Sequence, residues 1–190
     1  MQNSPDSPIH LEGQLLIADP SLREGIFNKS VILLAEHSGE QGAYGLILNH
    51  PTGQTVGDLL NSEEFSVLSH IPVHLGGPVG QEHLTFVAFW IDSTNPDPMQ
   101  QLRFATRISA QDAITRTQQP GTLVRAFTGY SGWTEGQLEN ELRHQSWIPT
   151  LPSADLLAHR HEKNLWGELL RNISPYHQIL AEAPDDIYSN

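Results

Sequence analysis

Residues 127–142 read FTGYSGWTEGQLENEL and place a serine between glycines, where a strand-like apolar run gives way to a helical pattern. A nucleophile elbow requires Gly-x-Ser-x-Gly, because small residues two places before and after the serine permit the strained turn that exposes its hydroxyl. Gly129 and Ser131 fit this pattern, but Trp133 occupies the position of the second glycine. The stretch is therefore a poor match to the esterase signature.

The same stretch carries the signals of a helix start. If Thr134 is the N-cap, Gln137 is the third helical residue and completes a Thr-x-x-Gln capping box. Trp133 then precedes the cap and Leu138 is the fourth helical residue, which is the pairing of a hydrophobic staple. We therefore predict a turn at the glycines, followed by a helix over residues 135–145, and prefer this interpretation to a catalytic serine.

The rest of the chain alternates short apolar runs with turn residues, which predicts a strand-rich fold followed by helices. Buried strands are predicted at residues 13–18, 30–36 and 44–49, and further strands at 73–75, 84–91, 103–108 and 122–128. Helical signals predict one or two turns at 56–60 and a short helix over 109–118. A last helix is predicted from the apolar stripe of Leu165, Trp166, Leu169, Leu170 and Ile173.

Length and charge limit the classes of function. A chain of 190 residues is expected to form one domain, with residues 1–10 as a mobile leader, 11–184 as the domain and 185–190 as a tail. The formal net charge of −12 disfavours direct nucleic-acid binding, because a polyanion would be repelled over most of the surface. Neither a signal peptide nor an apolar run of membrane length is present, so we expect a cytoplasmic protein that makes no membrane contact.

The chain has no cysteine but 10 histidines. Disulfides, thiolate metal sites and cysteine nucleophiles are thereby excluded. His159, His161 and Glu162 lack the His-Glu-x-x-His spacing and enclose an arginine, so we expect a solvated loop there. His37 and His50 follow apolar strands, where we expect satisfied polar termini. We predict no metal and no cofactor.

Two glycine-rich loops are candidate anion sites. Residues 39–45 lack the Gly-x-Gly-x-x-Gly order and precede a strand, which favours a hairpin turn. Residues 76–80 permit close approach of a ligand to the backbone, but no lysine or arginine lies nearby, which favours a tight crossover turn. Should these loops and strand ends converge, the candidate pocket residues are Asn49, His50, Gly76, Gly77, Tyr130 and Ser131.

The order of the motifs resembles that of the YqgE/AlgH family of bacterial proteins. The motifs that carry the resemblance are residues 13–18 with Pro20, 30–37, 42–52, 76–79, 129–142 with Trp147, and Leu165-Trp166. The resemblance implies an α+β fold in which a bifurcated sheet, partly closed into a small barrel, is surrounded by helices. It also implies a role in regulation, since transcriptional regulation is suggested for the family, but it carries over no catalytic residues.

Three functions are consistent with the sequence. We favour a non-enzymatic cytoplasmic binding or regulatory protein that acts through a protein or small-molecule partner, with any effect on transcription indirect. The alternative is a small-molecule hydrolase that uses the candidate pocket. A third possibility is an assembly factor within a larger complex.

Overall fold

A computed structural model describes residues 10–23, 25–97, 100–153, 156 and 164–183. The strands are β1 (Leu15–Ala18), β2 (Val31–Ser38), β3 (Gly42–Ile47), β4 (Pro51–Thr55), β5 (Pro72–Leu75), β6 (Val79–Ile91), β7 (Leu102–Ile108), β8 (Leu123–Trp133) and β9 (Trp147–Thr150). The helices are α1 (Val56–Leu59), α2 (Ala110–Thr117), α3 (Gln137–Arg143), α4 (Leu165–Arg171) and α5 (Pro175–Glu182), with a 3₁₀ helix at Glu63–Leu68. The predicted leader apart from His10, the predicted tail, and His159, His161 and Glu162 lie outside the described residues.

The strands of the described residues form one mixed sheet that branches at β8. The main path runs β4-β5-β8-β3-β2-β1-β9, while β6 pairs with both β7 and β8. Only β5 and β8 are parallel among these pairs. The predicted α+β class and bifurcated sheet with flanking helices are confirmed, but in the described part of the chain the sheet is open rather than closed into a barrel.

The branch of the sheet lies within the glycine-serine stretch, residues 129–132. Before Gly129, β8 pairs with β5 and β6, and after it β8 pairs with β6 only at Tyr130 and with β3 from Ser131 to Trp133. Gly129 has a φ of +68°, which glycine adopts without steric cost. The predicted turn at these glycines is wrong, because the residue that looks like a turn signal instead kinks a strand that continues to Trp133.

The connection between β5 and β6 crosses β8 at this kink. The Gly76 N–H donates to the Thr128 carbonyl at 2.8 Å, and a Cβ at Gly77 would overlap the backbone of Tyr130. This close approach explains why two consecutive glycines are needed here. The predicted tight crossover is confirmed, although β6 begins at Val79, within the segment predicted as loop.

Helix α3 follows the kinked strand and begins two residues later than predicted. Its N-cap is Gly136 rather than Thr134, with a φ of +69°. Half of the expected capping box is present, because the Thr134 N–H donates to Gln137 Oε1 at 3.1 Å. Trp133 and Leu138 are both buried in the same core cluster, but with Gly136 as the N-cap they do not occupy the two positions of the predicted staple.

A carboxylate of α3 ties the kinked strand to the edge of the sheet. Glu141 Oε2 accepts hydrogen bonds from the indole N–H of Trp133 at 2.8 Å and of Trp147 at 2.7 Å. Both indole rings are buried and meet edge to face, with centroids 6.1 Å apart. One side chain thereby satisfies two buried donors and fixes β8 relative to β9.

Two apolar clusters hold the helices against the sheet. The larger one joins β1, β2 and β3 with α3 and α4, and the smaller one joins β5, β6 and β8 with α1 and α2. The predicted α4 stripe is confirmed, since Leu165, Trp166 and Leu170 are buried. The helix predicted at 109–118 is also confirmed, with Ser109 as an N-cap that accepts from the Asp112 N–H.

Candidate functional site

An open cleft of about 610 Å³ lies on the face of β2, β3 and the end of β8, next to the end of β7. Its lining combines aromatic rings, carboxylates and one guanidinium. The lining residues used below are Glu12, Glu36, Tyr44, Arg107, Tyr130 and Gly132. This cleft therefore combines groups of several chemical types on one surface.

Strand register brings the aromatic side chains of the cleft together. Glu36 is opposite Tyr44 across β2 and β3, and Tyr44 is opposite Gly132 across β3 and β8. Because Gly132 has no side chain, the ring of Tyr130 can lie over it, where a Cβ would be 3.2 Å from Tyr130 Cε2. The rings of Tyr44 and Tyr130 are consequently 5.2 Å apart between centroids, at an angle of 40°.

Arg107 reaches the cleft from a bulge in β7. Its φ is +54°, a left-handed conformation that is unusual for a residue with a Cβ. The β6–β7 register shifts beside it, between the pairs Ala88–Ala105 and Phe86–Ile108. This irregularity aims the side chain at the cleft, where the guanidinium carbon lies 3.9 Å from the centroid of the Tyr44 ring.

The guanidinium of Arg107 is held by a carboxylate as well as by the ring. Arg107 Nη1 donates to Glu36 Oε1 at 2.7 Å, and the side chains of both residues are 54% exposed. An ion pair this exposed contributes at most about 1 kcal/mol to stability. Arg107 therefore covers Tyr44 without being locked in place.

Tyr44 is buried beneath this pair, with 7% of its surface exposed. Burial raises the pKa of its hydroxyl, and the charge of Arg107 offsets part of that rise. The phenol is therefore neutral at physiological pH. It offers the cleft an aromatic face rather than a proton-transfer group.

His37 lies at the base of the cleft with both ring nitrogens engaged. Nδ1 accepts the Leu11 N–H at 3.2 Å, so Nε2 carries the hydrogen and donates to Glu139 Oε1 at 2.8 Å. The side chain of His37 is only 2% exposed. The prediction that His37 is a hydrogen-bonded polar residue at the end of a strand is confirmed. Its partner Glu139 lies on α3, and the residue spacing of that helix does not predict the contact.

Four of the six residues predicted for the pocket meet at the crossing of the chain. Gly76, Gly77, Tyr130 and Ser131 are in mutual backbone or side-chain contact there. Ser131 is fully buried, and its hydroxyl donates to the Gly76 carbonyl at 3.1 Å. Tyr130 is the member of this group that lines the cleft, with 36% of its surface exposed.

The other two predicted pocket residues lie away from the cleft lining. Asn49 is buried, where Oδ1 accepts the Val31 N–H and Nδ2 donates to the Lys29 carbonyl, both at 2.8 Å. His50 is half-buried, and burial lowers the pKa of its imidazole. Asn49 thus joins the start of β2 to the end of β3 by hydrogen bonds.

The sequence prediction misses most of the cleft lining, including the three residues that carry its chemistry, Glu36, Tyr44 and Arg107. Glu36 is an exposed position in an otherwise buried strand, a signal that could have identified it. Tyr44 is opposite Glu36, but this pairing requires the hairpin register. Arg107 is separated from Glu36 by 71 residues and has no local signal.

The described residues contain no group of three or more histidine, aspartate or glutamate side chains placed to hold a metal ion. Within the same ranges, none of the helices combines the length and the hydropathy that crossing a bilayer requires.

Comparison with known proteins identifies bacterial proteins that are similar to this chain. A family model described as AlgH-like matches residues 15–177. A UPF0301 protein of Parabacteroides distasonis is 32% identical over 184 residues, covering 95% of this chain and 91% of that protein. A UPF0301 protein of Mycobacterium leprae is 34% identical over 186 residues, covering 94% of this chain and 90% of that protein.

Two solved structures have a similar fold. The solution structure of the AlgH protein from Pseudomonas aeruginosa has a TM-score of 0.62 and 29% identity, covering 97% of this chain and 99% of that chain. A crystal structure of a Corynebacterium diphtheriae protein has a TM-score of 0.70 and 21% identity, covering 96% of this chain and 95% of that chain.

Proposed function

This chain belongs to the AlgH-like family, and from that premise we propose that it is a non-enzymatic cytoplasmic protein that acts by binding a protein or small-molecule partner. The cleft between Tyr44, Tyr130 and Arg107 is the binding surface. The observation that supports this most is the exposed ring of Tyr130 packed at a tilt against the ring of Tyr44, beside a guanidinium. Tyrosine is among the residues that contribute most often to binding energy at interfaces.

The surroundings of Tyr130 suit it to recognition. The adjacent kink at Gly129 and the buried hydroxyl of Ser131 fix its backbone, so a partner would meet a ring that is already positioned. Little conformational entropy would then be lost on binding. The protein thus offers a preorganised aromatic anchor.

No observation favours the hydrolase alternative. The Ser131 hydroxyl is buried and committed to a backbone carbonyl, and both nitrogens of His37 are engaged. A nucleophile and base pair requires an accessible hydroxyl within hydrogen-bond reach of a base. A regulatory role through a partner is also compatible with the net charge of −12, which opposes direct binding to DNA.

Affinity capture with matched variants tests the proposal. Wild-type protein, Tyr130→Ala and Tyr176→Ala are each immobilised and exposed to a lysate of the source cells and to its small-molecule fraction. Tyr176 is 66% exposed on α5 and does not line the cleft, so it controls for the loss of any surface tyrosine. We expect at least one stoichiometric partner that Tyr176→Ala retains and Tyr130→Ala loses. Equal capture by all three proteins would reject the cleft as the binding surface.

A further inference from the structure

We propose that Glu36, Tyr44 and Tyr130 form a site for a guanidinium or ammonium group, and that Arg107 of this chain occupies the site until an external cation displaces it. The inference rests on the proposed function, since it assigns a chemical class to the ligand of the same cleft. It goes further by making Arg107 an internal occupant rather than a contact for the ligand.

The site has the two components that recognise an organic cation. The face of the Tyr44 ring attracts positive charge through its quadrupole, and the Glu36 carboxylate accepts hydrogen bonds from the same group. The Tyr130 ring lines the cleft beside the Tyr44 ring, 5.2 Å from it between centroids. Arg107 demonstrates that one guanidinium can contact the Tyr44 ring and the Glu36 carboxylate at the same time, because its own group does so.

Arg107 is delivered to the site by local distortion of its strand. The left-handed φ of +54° and the neighbouring register shift in β7 carry an energetic cost that a surface arginine does not require. The resulting ion pair is half exposed and therefore weak. An external cation that takes the same place would have to displace only this weakly held side chain.

The charges around the cleft oppose an anionic ligand. Glu12 and Glu36 provide two carboxylates, whereas Arg107 is the one lysine or arginine in the described lining. Its charge is already paired with Glu36 at 2.7 Å. The net charge of −12 over the whole chain adds long-range attraction for cations. The electrostatics therefore favour a cationic group.

Titration calorimetry on the full chain tests this inference with Nα-acetyl-arginine amide as the probe and Nα-acetyl-glutamine amide as its neutral counterpart. The variant Arg107→Gly removes the internal cation and suits the left-handed backbone, and Arg107→Ala provides a second version of the same change. Arg107→Lys retains a cation and serves as the matched control. Circular dichroism and urea unfolding establish that each variant is folded.

We expect Arg107→Gly and Arg107→Ala to bind the arginine probe about fivefold more tightly than wild type or Arg107→Lys, which is the gain expected from removing a weakly held internal competitor. Adding Glu36→Gln or Tyr130→Ala to Arg107→Gly should abolish the gain, and the neutral probe should bind to none of the proteins. Unchanged affinity in both Arg107 variants would overturn the inference. Tighter binding that survives Glu36→Gln and Tyr130→Ala would overturn it as well.

An anionic probe, Nα-acetyl-glutamate amide, provides the opposite outcome. If it binds wild type and Arg107→Gly loses that binding, Arg107 is a ligand contact and the inference is rejected. The two proposals can fail separately. A Tyr130-dependent partner without tighter binding by the Arg107 variants rejects only the cation site, whereas tighter binding without such a partner rejects the proposed function.

Discussion

The close contact between Gly129 and the β5–β6 connection predicts how far the free energy of unfolding falls when Gly129 is replaced by alanine. Gly129 has a φ of +68°, and a Cβ there would overlap the Gly77 carbonyl oxygen and lie 3.0 Å from Gln81 Cγ. In Gly129→Ala, the left-handed conformation costs about 1–2 kcal/mol. Forcing apart the packed backbones adds about 1–3 kcal/mol. We therefore expect the free energy of unfolding to fall by about 2–5 kcal/mol in total.

Gly121→Ala separates the two contributions. Gly121 has a φ of +77°, but a Cβ there would meet nothing within 4 Å. It should therefore lose only the conformational part, about 1–2 kcal/mol. Urea unfolding followed by circular dichroism measures both variants, provided that the m-value is unchanged. If Gly129→Ala costs no more than Gly121→Ala, the backbones do not cross closely and the branch at β8 is wrongly described.

Three further predictions concern single side chains. Glu141→Ala leaves two buried indole N–H groups without their acceptor and should lower the free energy of unfolding in urea by about 2–5 kcal/mol. Substituting the exposed Glu135 by alanine should change it by less than about 0.5 kcal/mol, and equal effects would contradict the bridging role of Glu141. Ser131→Ala should cost about 1 kcal/mol for the lost hydrogen bond to Gly76 and leave partner capture intact; loss of capture in a folded variant would argue against a structural role. Burial lowers the pKa of His50 below its ordinary 6.5, so the unfolded chain binds that proton more tightly and the free energy of unfolding should decline as the pH falls below 6.5. His50→Gln should reduce this decline and a substitution of the exposed His83, His83→Gln, should not, so identical pH profiles for the two variants would refute the assignment.

The buried strands can be predicted from the sequence because burial within the sheet requires continuous runs of aliphatic residues. The run at β2, for example, contains Val31 to Leu34, all wholly buried. β4 shows the limit of this signal, since its residues are mostly exposed and polar and it exists through pairing with β5. The extension of β8 beyond Thr128 likewise depends on β3, a partner that no local pattern around Gly129 reveals.

The residues of the candidate site likewise include some that can be predicted from the sequence and some that cannot. Tyr130 belongs to a recognisable glycine-serine stretch, and the sequence prediction includes it for that reason. Its neighbour Ser131 is equally conspicuous in the sequence. Because successive side chains of a strand point to opposite faces, however, the Ser131 side chain points into the buried interior. Arg107 reaches the cleft through a left-handed bulge, a conformation that residue type alone does not predict.

Chemical-shift mapping of backbone amides tests the central claim, that the cleft around Tyr44 and Tyr130 binds a cationic group. Labelled Arg107→Gly protein is titrated with Nα-acetyl-arginine amide. Saturable shifts should concentrate at the amides of Glu36, Tyr44, Tyr130 and Gly132, the residues that surround the cation site. Shifts confined to other surfaces, such as α5, or no saturable shifts at all, would contradict the claim.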